Sequence, residues 1–217
     1  MIKVIASLMA AGLFFGCSST PKPNSWEYKS ASAFRTYKQD TLKGRTSSAK
    51  NDLKRAIAYA KMGADFTQLG SIYLGECALA LALEKSKMPC KDYEEIAPLV
   101  QQGELHTYNR FLKKEFALVD TKKLDKQYVE FAIAMQKNNT NDANKAILTI
   151  KSPTSVLVAI ALLGASNTNK QTIEYGLEKL SFYGYKEGII QLLKIYKTKL
   201  PDDKKAEIEK KIAILKK

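Results

Sequence analysis

The chain has 217 residues, a formal net charge of +13 at pH 7 and 45% hydrophobic residues, which is enough for one packed domain or one continuous repeat array. Its positive charge is carried by lysine, with only Arg35, Arg45, Arg55 and Arg110 as arginines. Nucleic-acid readers lean on arginine for bidentate contacts, so this balance excludes a dedicated nucleic-acid binder.

The first segment reads as an export signal. Lys3 and the amino terminus are positive, Val4 to Phe15 is an almost wholly apolar run, and Gly16 precedes Cys17. The run is about twelve residues, whereas a bilayer core needs roughly 20 in a helix, so a permanent span is not expected. Ser18, Ser19, Thr20, Pro21, Lys22, Pro23 and Asn24 then break the pattern.

Phe14-Phe15-Gly16-Cys17 resembles the lipobox of bacterial lipoproteins, in which a small residue precedes the cysteine. It departs from that pattern at Phe14, where leucine is usual; Leu13 lies one place earlier. The resemblance implies cleavage after Gly16 and a diacylglyceryl thioether on Cys17. It also implies an amide-linked (palmitate-type) chain on the new amino terminus, with no other cofactor. Each buried methylene contributes about 0.8 kcal/mol, so two or three chains anchor stably where one does not. Serine rather than aspartate after the cysteine implies transfer to the outer membrane, facing the periplasm. The expected organisation is a signal over 1–16, a flexible tether over 17–25 and a helical domain over 26–217.

The charge is uneven. Residues 17–63 carry a net +7 and residues 64–120 a net −3. The basic stretch is tethered next to the membrane, where each basic residue near an anionic surface contributes about 1 kcal/mol. The plainer reading is an ordinary solvated lysine-rich surface.

Beyond the tether the pattern is helical, with no strand alternation and no hairpin dipeptide. A first helix is expected from Trp26 to about Gln39, stopped at Gly44. Ser47 or Ser48 caps a second helix with a Leu53, Ala56, Ile57, Ala60 stripe, ended by Gly63. Asp65 caps a third, in which Leu69, Ile72, Tyr73, Cys77, Ala80 and Leu81 recur at helical spacing. Further helices are expected over about 91–101, 104–119, 124–138, 141–151, 154–165, 169–183, 186–199 and 202–215. That makes eleven, joined by loops short enough to set neighbours antiparallel.

With Cys17 given to lipid, Cys77 and Cys90 form an even pair in an oxidising compartment. An unbroken helix from Cys77 to Lys87 is about 15 Å long, too far for a disulfide, which needs Cα atoms within about 7 Å. A bond therefore requires the helix to end near Leu83 and the 85–89 loop, with its Ser86-Lys87-Met88-Pro89 turn, to fold back. The alternative is two buried small apolar residues.

The fold class expected is all-α, an array of antiparallel helix pairs. Residues 56–73 (AIAYAKMGADFTQLGSIY) and 177–196 (LEKLSFYGYKEGIIQLLKIY) are each a helix ending in glycine followed by a helix ending in Ile-Tyr. The second resembles the short tetratricopeptide-like repeat of bacterial periplasmic proteins, with Gly184 and Gly188 as close-approach positions and Tyr196 closing the pair. The first is two residues shorter between its glycine and tyrosine. A tetratricopeptide-like α-solenoid and an irregular helical bundle both fit.

No catalytic constellation stands out. The one histidine, His106, lies beside Tyr108 in a helix, with no zinc-ligand spacing and no Gly-x-Ser-x-Gly elbow around it. Glu76 is the lone acid in LGECALALAL; if buried, its carboxyl rises and can serve as an acid, but no segment is left over for a catalytic domain. No phosphate loop, metal site or haem motif is visible, and no enzyme is expected. Tyr73, Glu76, Phe182, Tyr183 and Tyr185 are candidate partner contacts. The function expected is a lipid-anchored scaffold or accessory subunit, bound to another envelope protein. The alternative is a basic binder of peptidoglycan or anionic headgroups.

Overall fold

A computed structural model describes residues 25–85, 90–101 and 103–217. The signal, Cys17, the tether through Asn24 and the Ser86 to Pro89 turn lie outside the described residues. Among those described there are eleven α-helices and no strand. They are α1 (Ser25–Lys43), α2 (Thr46–Met62), α3 (Phe66–Ala82), α4 (Lys91–Ile96), α5 (Gly103–Leu112), α6 (Val129–Gln136), α7 (Thr140–Ile147), α8 (Pro153–Leu163), α9 (Lys170–Phe182), α10 (Lys186–Lys197) and α11 (Asp202–Leu215). No helix among the described residues is long and apolar enough to cross a membrane.

The α1–α2 hairpin is closely packed because its seam is small: Ala33, Ala56 and Ala60 are buried there. Ser30 donates its hydroxyl to the Ala56 carbonyl at 2.9 Å, so even the polar group in the seam is satisfied. Gly44, at φ +79°, turns the chain, and Arg45 closes the turn on Asp40 at 3.3 Å. The second helix begins at Thr46, with Arg45 at its cap position and no side-chain cap, so neither Ser47 nor Ser48 performs that role. The backbone of the turn substitutes: Arg45 N–H donates to the Asp40 carbonyl at 2.8 Å, and Ala49 N–H to the Arg45 carbonyl at 2.9 Å.

Helices α3 and α8 cross the centre. The side chains of α8 from Ser155 to Ile160, with Leu162 and Leu163, are buried. Those of α3 include buried Leu69, Ile72, Leu74, Cys77, Ala78 and Leu79. Neither helix carries a continuous polar face; α8 is buried almost throughout, while α3 keeps Gln68, Tyr73 and Glu76 half-buried at its margin. Gly75 lets α1 come close: a Cβ there would collide with the Phe34 ring. Asp65 caps α3 by accepting from Gln68 N–H at 2.9 Å.

Packing runs between neighbours in sequence, including α2 on α3, α6 on α7 and α9 on α10. It also joins distant helices: α3 packs on α8, and α1 on α10. In a stacked array each unit meets only its neighbours. Here the contacts of α1 with α10 and of α3 with α8 close the two halves of the chain on each other. Both quoted segments are antiparallel hairpins, α2–α3 and α9–α10, within this closed arrangement.

The expected helix over 104–119 stops at Leu112, and the one over 124–138 starts only at Val129. Between them lie three short 3-10 turns, Phe116–Leu118, Thr121–Lys123 and Lys126–Tyr128. Lys114 adopts φ +62°, and the carboxylates of Asp120 and Asp125 accept from Lys122 N–H and Gln127 N–H, both at 3.1 Å. Such local bonds give the backbone an alternative to helix. Gln136 of α6 then fastens the segment, donating to the Phe116 and Val119 carbonyls at 3.1 and 2.9 Å.

Asn144 secures the other side. Its amide donates to the Thr140 and Asn167 carbonyls at 2.7 and 2.9 Å, and its oxygen accepts from Asn169 N–H at 2.9 Å. The side chain is buried, so every one of its bonds replaces lost hydration.

Candidate functional site

Three regions gather the side chains with chemistry. The first is the corner of α3 and α4. Helix α3 ends at Ala82, and Cys90, at φ 76°, starts α4. The Cα atoms of Cys77 and Cys90 are 5.0 Å apart and their sulfurs are bonded. This crosslink brings the start of α4 against α3, so Asp92 faces Glu76. Burial, and then Asp92, push the Glu76 carboxyl above the usual carboxylate range. Tyr73, half-buried, is pushed up by burial and by Asp92, Glu76 and Glu95. Tyr37, on the α1 side, is pushed up to about 12 by burial and by Glu76. Glu76 is thus held in an acidic, partly desolvated corner rather than on an open face.

His106 belongs to the same half. Its Nε2 lies 2.9 Å from the Val100 carbonyl, which can only accept, so Nε2 carries the proton. Nδ1, 3.0 Å away, then accepts from the Tyr93 hydroxyl. Both ring nitrogens are spent on joining α5 to α4 and to the segment after it. Burial pushes Tyr93 up to about 12, which keeps that hydroxyl a donor.

The second region is a cleft of about 420 Å³ between α1, α3, α5, α8 and the 3-10 turns. Its floor is apolar, with Phe34, Leu79, Leu105, Tyr108 and Val158. The rim carries Lys38, Glu104, Lys123 and Asp125, and the start of α8 at Ser152 and Thr154. Burial, helped by the Arg35 charge, lowers the Lys38 ammonium from its ordinary value; its Nζ sits 5.3 Å from the Phe34 ring centroid. Tyr108 and Tyr128 are both pushed up by burial, Tyr108 well above its ordinary value and Tyr128 to about 12. The cleft has the size and apolar lining of a small-ligand site. Asp125 is already committed to its turn through Gln127 N–H and Nε2.

The third region is the turn from α9 to α10. Phe182 is 83% exposed and Tyr183 49%, whereas Tyr185 is only 8% exposed. The three rings form a ladder with centroids 5.1 and 5.5 Å apart. Tyr185 is therefore the support beneath the pair, not part of the surface. Phe182 and Tyr183 edge a concavity of about 450 Å³ with Lys151, Glu178, Lys179 and Ser181.

The residues named from sequence fall into two separate places: Tyr73, Glu76, Cys77 and Cys90 at the α3–α4 corner, and Phe182, Tyr183 and Tyr185 at the far turn. The cleft has no signature in the sequence. Its walls come from elements far apart in sequence, and no local pattern announces that α3 packs on α8. No cluster of three or more metal-ligating side chains occurs among the described residues. No protein-family model, curated protein or solved structure matches the chain.

Proposed function

We propose that this chain is a membrane-anchored periplasmic lipoprotein that acts as a protein–protein interaction scaffold or accessory subunit of an envelope assembly, and not an enzyme. The lipobox-like run to Cys17 supports the anchor and the outer-membrane location, and the all-α fold supplies a rigid body. The observation that carries the scaffold reading is the Phe182–Tyr183 pair. Two large aromatic rings stand in solvent on a buried support, beside a concavity. Aromatic side chains are enriched at protein interfaces, where they seat in pockets and carry much of the binding energy.

The test is an affinity pull-down of the full-length lipidated chain from detergent-solubilised envelopes, beside a Phe182→Ser/Tyr183→Ser variant. One envelope protein should co-purify in stoichiometric amount, persist in high salt and be lost with the variant. If the chain returns alone, or only with cell-wall fragments that salt removes, the scaffold reading fails and the basic surface-binder reading takes its place.

A further inference from the structure

Eight large hydrophobic side chains are exposed among the described residues, and three of them share one end of the molecule: Tyr28 at 68%, Met62 at 74% and Phe66 at 39%. The register of the α1–α2 hairpin puts them there. Trp26 fills the space that a side chain at Gly63 would need, and the Lys29 ammonium lies 5.8 Å from the Tyr59 ring centroid. The first turn of α1, the last turn of α2 and the first residue of α3 therefore end together. Side chains lean toward the N-terminus of their own helix, so Tyr28 and Phe66 lean off this end.

This is also the end from which the chain leads back to Cys17. Seven residues separate Cys17 from Ser25, and eight Cα–Cα steps span at most about 28 Å. The Phe182–Tyr183 turn lies at the other end of α1: the space beside Gly44 is occupied by Lys186 and Glu187 of α10. A helix of 19 residues is about 28 Å long.

Charge at this end nearly cancels: its turns carry Lys29 and Lys61 against Glu27 and Asp65 in number. Arg35 lies about 15 Å along α1 from Ser25, beyond the Debye length of about 8 Å at physiological salt. What remains is aromatic and thioether surface fringed by two lysines, the composition that sits at a bilayer's headgroup level.

We infer that this end is a bilayer foot. Trp26, Tyr28, Met62 and Phe66 rest in the headgroup–acyl boundary of the membrane that holds Cys17, and Lys29 and Lys61 reach the lipid phosphates. The inference rests on the lipid-anchor reading above. It stands the α1–α2 hairpin upright and turns the Phe182–Tyr183 end away from the membrane.

Trp26 is the only tryptophan, so it reports on the foot alone. The full-length acylated chain is reconstituted into phosphatidylcholine–phosphatidylglycerol vesicles, with and without brominated acyl chains. Trp26 emission should shift to the blue and be quenched by the brominated lipid, with little change in high salt. Tyr28→Ser/Met62→Ser/Phe66→Ser should lose about half or more of that quenching while the protein still floats with the vesicles. Trp26→Phe/Phe182→Trp should be unquenched. A wild-type chain that floats with Trp26 unquenched overturns the foot and leaves the anchor standing; so does quenching that the triple variant does not reduce. A chain whose intact mass lacks acyl groups on Cys17 overturns the anchor and the foot with it.

Discussion

The α3–α8 centre and the 113–128 segment are held by different balances of burial and hydrogen bonding. The centre is two helices without a continuous polar face, stabilised by burial and by close approach at Gly75. The segment buries Val119, Leu124 and Tyr128 but leaves Leu118 exposed, and its turns depend on bonds that Asp120 and Asp125 accept from backbone N–H groups and that Gln136 donates to backbone carbonyls. A buried side chain is felt by everything around it, whereas a bond near water exchanges one partner for another at small net cost.

The largest effect should come from the centre. Leu157→Ala removes a fully buried side chain from α8 and should cost about 3 to 4 kcal/mol in urea unfolding. A cost no greater than that of a surface change would break the comparison. Removing the crosslink with Cys77→Ser/Cys90→Ser should cost about 3 kcal/mol, since it frees a short loop in the unfolded chain. Reduction of the wild type should lower the midpoint by a similar amount. Asn144→Ala removes the buried amide that ties α7 to the loop between α8 and α9 and should cost about 2 kcal/mol. Gln136→Ala, whose partners lie nearer water, should cost about 1 kcal/mol and speed amide exchange in 116–128 while leaving α3 and α8 protected.

The smallest effect depends on pH. The folded chain holds the Glu76 proton more tightly than the unfolded one, because burial and Asp92 raise its carboxyl. Stability therefore falls as pH rises from the ordinary glutamate range through the raised value. Glu76→Gln lacks this loss. It should be more stable than wild type near pH 7, and the gain should vanish toward about pH 4. Equal urea midpoints for the two proteins at both pH values would remove Glu76 from the acidic corner.

This difference also explains which parts could be read from sequence. The eleven helices were legible because apolar spacing, Asp65 and the glycine and proline breaks act locally. The apolar rhythm of Phe111, Phe116 and Leu118 extends the expected 104–119 helix past Leu112, where the chain instead turns on the carboxylates of Asp120 and Asp125. Glu76 was legible as the lone acid in an apolar helix. Its neighbour Asp92 was not, because the crosslink sets that distance. Sequence adjacency groups Tyr185 with Phe182 and Tyr183, but the turn at Gly184, φ +63°, sends it under the pair. The cleft depends on the contact of α3 with α8, and no spacing encodes that contact.

The packing of α1 on α10 has a consequence in time. Gly44 and Lys186 are 142 positions apart, and a ribosome adding 5 to 20 residues per second needs roughly seven to thirty seconds to cover that interval. The α1–α2 hairpin can form early from local contacts, but the packing of α1 on α10 waits until Lys186–Lys197 has been made. Folding is thus finished from the C-terminal side. Loss of α10 should leave a collapsed, sticky intermediate, whereas loss of α11, which packs chiefly on α10, should leave the rest closed.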